Sequence, residues 1–378
     1  MKLFDVYSLF PIEPVKATGS WIFDTQGRKY LDLYGGHAVI SIGHNHPHFV
    51  QRLKDQLDRI SFYSNSVENP LQVELAEKLG RMSGYPEYQL FLCNSGAEAN
   101  ENALKLASFV TKRKKVIAFK KAFHGRTSGA VAATDNPKIV APFNADHAIQ
   151  FLPWNDSEVL EAHITEEVAA VIIEGIQGVG GIHVPSVEFL EKLHALCRKA
   201  GALLILDEVQ SGYGRTGKFF AHQHSTIRPD LITIAKGMGN GFPVGGVLIH
   251  PAIQPWSGML GTTFGGNYLA CAAALAVLEV IDQQNLIAHA GALGDKWIAE
   301  LRKMSAIEAV RGRGLMIGFD LPAEHKDLRN KLLFNHHIFT GEAKPNTVRL
   351  LPSLALEQGD ADVLLHALDA ELKQPAWV

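Results

Sequence analysis

Lys236 ends an apolar run, Leu231 Ile232 Thr233 Ile234 Ala235, and opens a glycine-rich loop, Gly237 Met238 Gly239 Asn240 Gly241. A lysine withdrawn from water loses its proton readily and becomes a nucleophilic amine able to form Schiff bases. At a strand end it can equally be a solvated cation. Two further apolar runs end in acids, Val171 Ile172 Ile173 Glu174 and Leu203 Leu204 Ile205 Leu206 Asp207 Glu208. Ligand crevices of open α/β sheets lie outside the carboxyl ends of their strands. A carboxylate buried there is costly unless something cationic meets it, so Asp207 implies a partner; the plainer alternative is an acid turned to solvent. Ser95 Gly96 Ala97 Glu98 follows the run Gln89 to Cys93 and leads into apolar periodicity through Leu104 and Ala107. It reads as a capping box, with Ser95 bonding the Glu98 amide and Glu98 reaching back. It also reads as a phosphate cradle, since a helix start offers free amides and a positive dipole and Gly96 permits close approach. The two readings are compatible.

These residues need elements to position them. Between about Gln89 and Ile249, short apolar runs alternate with amphipathic stretches: Gln89 to Cys93, Lys115 to Phe119, Ala169 to Glu174, Leu203 to Asp207, Leu231 to Ala235 and Gly246 to Ile249. Runs without polar alternation predict parallel strands buried on both faces, with helices as crossovers. Ahead of them lie a strand pair around Trp21 to Asp32, joined through Gln26 Gly27, and a helix opened by Pro47. After Gly266 come two helical stretches, alternation in Met316 to Asp320 and Thr347 to Leu351, and a last helix, predicting a smaller α+β domain packed with the N-terminal segment.

Composition removes other classes. The 378 residues predict two or three domains at about 150 residues each; the sequence has no internal repeat. Lys plus Arg number 36 against 39 Asp plus Glu, for a net charge of −3. That balance lacks the electrostatic footprint of a nucleic-acid or anionic-membrane binder. The longest apolar stretch, Leu269 to Ile281, contains Glu279 and falls short of the roughly 20 residues that span a bilayer. The N-terminal residues show no secretory signal. Cys93, Cys197 and Cys271 share no C-x-x-C spacing, so neither a disulfide framework nor a zinc ribbon is suggested, and a cytoplasmic setting is expected.

Two patterns invite other chemistry. Gly212 Tyr213 Gly214 Arg215 Thr216 Gly217 Lys218 satisfies G-x-G-x-x-G and nearly satisfies a P-loop, making a nucleotide-binding enzyme the alternative from another class. Phe219, however, stands where the magnesium-binding hydroxyl is required, and the acidic strand precedes the loop directly. His44, His46 and His48 alternate in a loop running into Pro47 and lack the i, i+4 helical pairing or distant third ligand of a metal site, so no metal is expected.

A lysine, a lone acid and a helix-start cradle at neighbouring strand ends match three needs of pyridoxal 5'-phosphate: an aldehyde to bind, a pyridine nitrogen to keep protonated and a phosphate to hold. On these residues the chain resembles the class III (subgroup II) pyridoxal-phosphate aminotransferases, of the acetylornithine and succinylornithine type, from about Pro14 to the last helix. The resemblance is carried by Gly43 His44 with Pro47, Asn94 to Asn100, Ala122 to Arg126, Ile176 Gln177 Gly178, Asp207 to Gln210, Gly214 to Gly217, Ala235 Lys236, Gly261 to Asn267 and Val348 Arg349. It implies an α/β, fold type I architecture with a mostly parallel seven-stranded sheet. The implied large domain is about 52–266, and the small domain is built from 1–51 and 267–378.

It further implies that Lys236 forms the covalent link to the cofactor and Asp207 pairs with the pyridinium nitrogen. Phe123 and Val209 would sandwich the ring, Gln210 would approach its phenolic oxygen, the Gly96 and Ala97 amides with Ser95 would hold the phosphate, and Glu174 joins the cofactor-binding set. Thr263 would reach the phosphate of a neighbouring subunit, which requires a homodimer. Arg126, with Thr262 beside it, would bind the substrate α-carboxylate, Arg349 the α-carboxylate of glutamate, and His37 would face the substrate. The implied reaction moves the terminal amino group of an N-acylated ornithine to 2-oxoglutarate, in arginine biosynthesis, with ornithine or 4-aminobutyrate as competing donors. Three positions depart from the family pattern. Gly175 follows Glu174 where proline is usual, Val179 replaces a glutamate that would mask Arg349, and His37 stands where relatives carry an aliphatic residue or tyrosine. An unmasked Arg349 suits a donor with an extra carboxylate, such as N-succinylornithine, better than free ornithine.

Overall fold

The computed structural model describes residues 1–372. Its centre is a seven-stranded sheet in the order Gln89–Cys93, Gly245–Ile249, Leu231–Ile234, Leu203–Asp207, Val168–Glu174, Lys115–Phe119 and Ile149–Leu152. Pairings from Leu231–Ile234 to Ile149–Leu152 are parallel. Gly245–Ile249 runs antiparallel to both its neighbours, against the expectation of a parallel strand. The short glycine-rich connection after Ile234 holds only a 3-10 turn at Lys236–Met238 and no crossover helix, so the chain doubles back and the next strand enters reversed. Ile149–Leu152 was not anticipated, because its run Ile149 Gln150 Phe151 Leu152 is short and interrupted by a polar residue.

Both faces of the sheet are covered, which accounts for its unbroken apolar strands. Val171 and Ile173 face Phe189, Leu193 and Cys197 of the helix Val187–Ala200. Ala170 and Ile172 point the other way, toward Ala99, Ala103 and Leu106 of the helix Gly96–Thr111. Local chemistry delimits these helices. Ser186 caps Val187–Ala200 by accepting from Phe189 N at 3.1 Å, and Gly201 at φ 64° ends it.

The chain ends meet beside the sheet. Pro14–Thr18, Trp21–Asp24 and Lys29–Asp32 form an antiparallel set, which Ile338–Phe339 joins in parallel next to Lys29–Asp32. Ala309–Arg313, Met316–Asp320, Thr347–Leu350 and Gly341–Ala343 form a second, antiparallel sheet. The apolar helix Tyr268–Gln283 is buried against the helices Pro47–Leu57 and Pro70–Ser83. No single helix among the described residues is long and apolar enough to cross a membrane.

The helix Leu286–Leu301 approaches the turn at Gly314 so closely that a Cβ on Gly294 would stand 2.1 Å from the Gly314 carbonyl oxygen and 2.5 Å from its Cα. Backbone cannot swing aside as a side chain can. Gly294→Ala is therefore expected to destabilise the protein by about 1–3 kcal/mol, seen as a lower thermal midpoint in calorimetry; an unchanged midpoint contradicts this packing.

Candidate active site

At the carboxyl ends of the strands lies a cavity of about 370 Å³, lined among others by Ser95, Gly96, Ala97, Phe123, Arg126, Glu174, Asp207, Val209, Gln210 and Lys236. Ten of the residues singled out from the sequence thus converge on one hollow.

Parallel register puts Glu174, Asp207 and Thr233 side by side on three adjacent strands. Asp207 is 5% exposed, and no lysine or arginine side chain is bonded to it among the described residues. Its Oδ2 accepts from Asn100 Nδ2 and from His124 Nδ1, each at 2.8 Å, and its Oδ1 accepts from Val209 N at 3.0 Å. Thr233 Oγ1 donates to Asn100 Oδ1 at 2.7 Å, which turns the amide so that its NH2 faces Asp207 and the His124 carbonyl. Asn100, His124 and Thr233 are functional neighbours that sequence reasoning did not single out for the site. The available signals were an asparagine on the apolar face of the helix and a threonine inside an apolar strand.

Glu174 is held by backbone alone, accepting from Phe123 N at 3.1 Å and Gly178 N at 2.9 Å. Burial raises its carboxyl to about 7, helped by Asp207 and opposed by His124 and the two amides. Lys236, held at φ 44° directly after Ala235, has a side chain with no hydrogen bond or ion pair among the described residues. A non-glycine residue in that region costs about 1–3 kcal/mol and persists only where its surroundings over-determine it. Here the surroundings are Asn240, whose Oδ1 accepts from Ser41 N and Ile42 N while its Nδ2 donates to the Gly43 carbonyl, and Ser41 Oγ, which donates to the Gly237 carbonyl. Burial pulls the Lys236 ammonium below its usual range, against the attraction of Asp207 and Glu174. The result is an amine poised to be neutral and nucleophilic.

Ser95 caps the helix Gly96–Thr111 through Glu98 N at 3.2 Å, but Glu98 reaches back to Asn94 N at 2.9 Å, one residue beyond the expected reciprocal partner. The Gly96 and Ala97 amides belong to the first turn, outside the i to i−4 ladder, and face the cavity. A Cβ at Gly96 would meet Val209 at 2.6 Å, so the helix start and the loop after Asp207 fit together only with glycine there. Gln210 donates from Nε2 to the His37 carbonyl at 3.0 Å, and its buried Oε1 has no partner. Arg126 lines the cavity with its side chain exposed.

Arg349 sits behind this floor, 4% exposed. It donates from Nε to the Glu342 carbonyl at 2.8 Å, from Nη1 to the Gly178 carbonyl at 3.0 Å and from Nη2 to the Tyr34 hydroxyl at 3.0 Å. No carboxylate pairs with it among the described residues. Val179 lines the cavity beside it, 44% exposed. Gly175 also has a physical reason, because a Cβ there would lie 2.7 Å from Glu208 Oε1 and 2.8 Å from Ser211 Oγ. The buried Glu208 carboxylate gathers Ser211 Oγ, Ala221 N, His222 N and His222 Nδ1, and that knot occupies the space.

Besides Arg349, which is not part of the cavity lining, three expected site residues fall outside this cavity. Thr262 Oγ1 accepts from Gly265 N at 3.1 Å and lines a separate hollow with Asn65 and Leu260, so it does not stand with Arg126 on the cavity wall. Thr263 is exposed, and His37 is exposed on the Tyr34 side. The P-loop look-alike is a clamp on the helix Leu286–Leu301 and on the segments at Leu315 and Pro352. Gly214 and Gly217 adopt φ 88° and 82° against Ile287 and Gly291, and buried Arg215 donates to the carbonyls of Leu315 and Pro352 at 3.2 and 2.7 Å. The three loop histidines diverge to separate partners, His44 to Asp32 at 2.8 Å, His46 to Gln284 and His48 to Glu279.

The family described as Aminotransferase class-III matches residues 5–372. The chain is 43% identical over 354 residues to the acetylornithine aminotransferase of Archaeoglobus fulgidus, covering 92% of each. It is 40% identical over 368 residues to that of Bacillus subtilis, covering 95% of this chain and 94% of the relative. In structure it is similar to the ornithine aminotransferase of Toxoplasma gondii ME49, with a TM-score of 0.89 and 29% identity over 97% of this chain and 91% of that one.

Glu174 generates a pH prediction. Its folded value of about 7 lies above its ordinary 4.5, so the protonated form is favoured on folding. That contribution is complete below about 4.5 and is lost as pH rises through 7. In the cofactor-free protein, Glu174→Gln should therefore gain stability relative to wild type between pH 5 and pH 8, measured by urea unfolding at each pH. A relative loss over that range contradicts the assignment.

Proposed function

This chain belongs to the class-III aminotransferases, and we propose that it moves the terminal amino group of an N-acylated ornithine to 2-oxoglutarate, giving glutamate and the N-acyl glutamate semialdehyde. The observation that carries this reading is the meeting of an unpaired Lys236 amine, a pinned Asp207 carboxylate and an open helix start around one cavity. The acetylornithine aminotransferases among its relatives supply the donor class. Arginine biosynthesis is the corresponding role, and the three free, buried cysteines suit a reducing compartment such as the cytoplasm.

Pyridoxal 5'-phosphate fits the residues present. The Asp207 carboxylate stands at the cavity with no lysine or arginine bonded to it among the described residues, suiting a protonated ring nitrogen. The Gly96 and Ala97 amides suit a phosphate, and the orphaned Gln210 Oε1 awaits a donor. When bound, the cofactor supplies an electron sink for the carbanion formed on breaking the C–H bond. The chain does the rest. Lys236 Nζ, whose proton affinity burial lowers, takes the proton from the carbon bearing the departing amine. Asp207, held by three donors, favours positive charge at the ring nitrogen. Phe123 and Val209 line the walls where a ring would lie, and Glu174 fixes the Phe123 and Gly178 amides. Arg126 takes the donor's α-carboxylate through a planar fork that sets direction as well as charge. Arg349 takes a carboxylate of the amino acceptor.

We further propose a homodimer with shared sites, in which Thr263 serves the neighbouring copy's phosphate. The reading is supported by the exposure of Thr263 and of the apolar side chains Phe62 and Phe264 next to it, whose rings are in contact at 5.4 Å.

An amino-donor screen on pure protein is the direct test. N-acetylornithine and N-succinylornithine should show higher kcat/KM than free ornithine, whose cationic α-amine would approach an Arg349 that no carboxylate neutralises; a clear preference for ornithine overturns the donor assignment. Lys236→Ala should abolish the visible absorption of bound cofactor along with activity. Arg349→Lys should raise the KM for 2-oxoglutarate at least about tenfold, because a point charge replaces a planar fork.

A further inference from the structure

Arg349 is a buried cation whose partners are two main-chain carbonyls and one phenol, and that phenol is unaccounted for by the reading above. Tyr34 OH accepts from Arg349 Nη2 at 3.0 Å and lies 2.6 Å from His37 Nδ1. With one lone pair engaged by Arg349, the hydroxyl has a single proton to give, and His37 Nδ1 is the acceptor within reach. Although the side chain keeps contact with solvent, partial desolvation, with the nearby charges of Lys236, Arg349 and Arg329, lowers the His37 imidazole from its ordinary value and favours the neutral form that supplies the acceptor.

The backbone is shaped to make this contact. Gly35, Gly36, His37 and Ala38 all have positive φ, at 56°, 55°, 70° and 65°, a left-handed turn that L residues avoid in succession. Asp32 Oδ1 accepts from both Tyr34 N and Gly35 N, and a Cβ on Gly35 would stand 2.8 Å from the Leu351 carbonyl. The turn folds the His37 ring back on Tyr34, with centroids 4.8 Å apart. The Tyr34 ring packs on Gly341, where a Cβ would be 2.1 Å away, and Gly341 pairs with Arg349 across the small sheet. Strain of this kind persists where function holds it.

We propose that Tyr34 is the positioning residue that presents Arg349 to the carboxylate of the amino acceptor, with His37 fixing the direction of the Tyr34 hydroxyl. The proposal rests on Arg349 as the acceptor's site. Three of its five N–H groups are fixed by Glu342, Gly178 and Tyr34, which leaves one on each terminal nitrogen for an incoming dicarboxylate. Of the three anchors, only Tyr34 is a side chain, so only there can a substitution loosen the fork and leave the main chain intact.

The experiment uses the holoenzyme of wild type and Tyr34→Phe, with steady-state kinetics and calorimetric titration of glutarate, an unreactive dicarboxylate. Tyr34→Phe should raise the glutarate Kd and the 2-oxoglutarate KM about fivefold to tenfold, or about 1–1.4 kcal/mol. The ratio of the 2-oxoglutarate KM to the N-acetylornithine KM should rise with them. His37→Asn, which keeps an acceptor near the Nδ1 position and tolerates positive φ, should bind glutarate more tightly than His37→Leu. A glutarate Kd within twofold of wild type in Tyr34→Phe overturns the assignment of Tyr34, as does an equal rise in both KM values. A wild-type holoenzyme that neither binds glutarate nor uses 2-oxoglutarate overturns the acceptor reading and this one together.

Discussion

A carboxylate at the end of a parallel strand, satisfied by hydrogen-bond donors with no lysine or arginine bonded to it among the described residues, is the constraint around which this site is arranged. Leaving Asp207 without donors would be expensive. Pairing it with an arginine would satisfy it and spend its charge. Asn100, His124 and the Val209 amide satisfy its oxygens while leaving that charge to act on whatever enters the cavity. The solution demands exact placement of a helix residue, a loop residue and the strand's own continuation, and Thr233 sets the sense of the Asn100 amide from one strand away.

The same economy recurs between the sheet and the parts built from the chain ends. Arg215 and Arg349 are buried guanidinium groups bonded to main-chain carbonyls, and Asn240 does the same work as an amide. Each ties a loop at the mouth of the sheet to a segment from residues 34–43, 315 or 342–352. Carbonyl partners fix a fork's position and leave its charge unneutralised. For Arg215, deep in the clamp and pulled down to about 10 by burial, that is a structural outcome. For Arg349 it leaves a cation with no carboxylate partner among the described residues, beside the cavity that Val179 lines.

Much of this was legible in the residues. Apolar runs without alternation announced strands covered on both faces, and three of them ended in Glu174, Asp207 and Lys236. Register then made neighbours of the first two, since parallel strands of similar length align their ends. Other features were hidden for physical reasons. The reversal of Gly245–Ile249 depends on the length and course of a loop, which periodicity does not encode. Ile149–Leu152 pairs at an edge, where polar Gln150 is tolerated. The reach of Glu98 to Asn94 instead of Ser95 reflects where a strand hands over to a helix, one residue earlier than the motif suggests.

Local chemistry thus determined which residues carry reactive groups and which kind of element ends beside them, because periodicity, capping and glycine content act within a few residues of chain. Tertiary structure alone decided which of those groups share an environment. It emptied the surroundings of Lys236 so that burial could lower its proton affinity, raised Glu174, turned Thr262 away from the cavity and brought Tyr34 onto Arg349, 315 residues distant in sequence. Proton affinity and hydrogen-bond geometry depend on everything within a few ångströms, and that neighbourhood exists only once the chain ends have closed over the sheet.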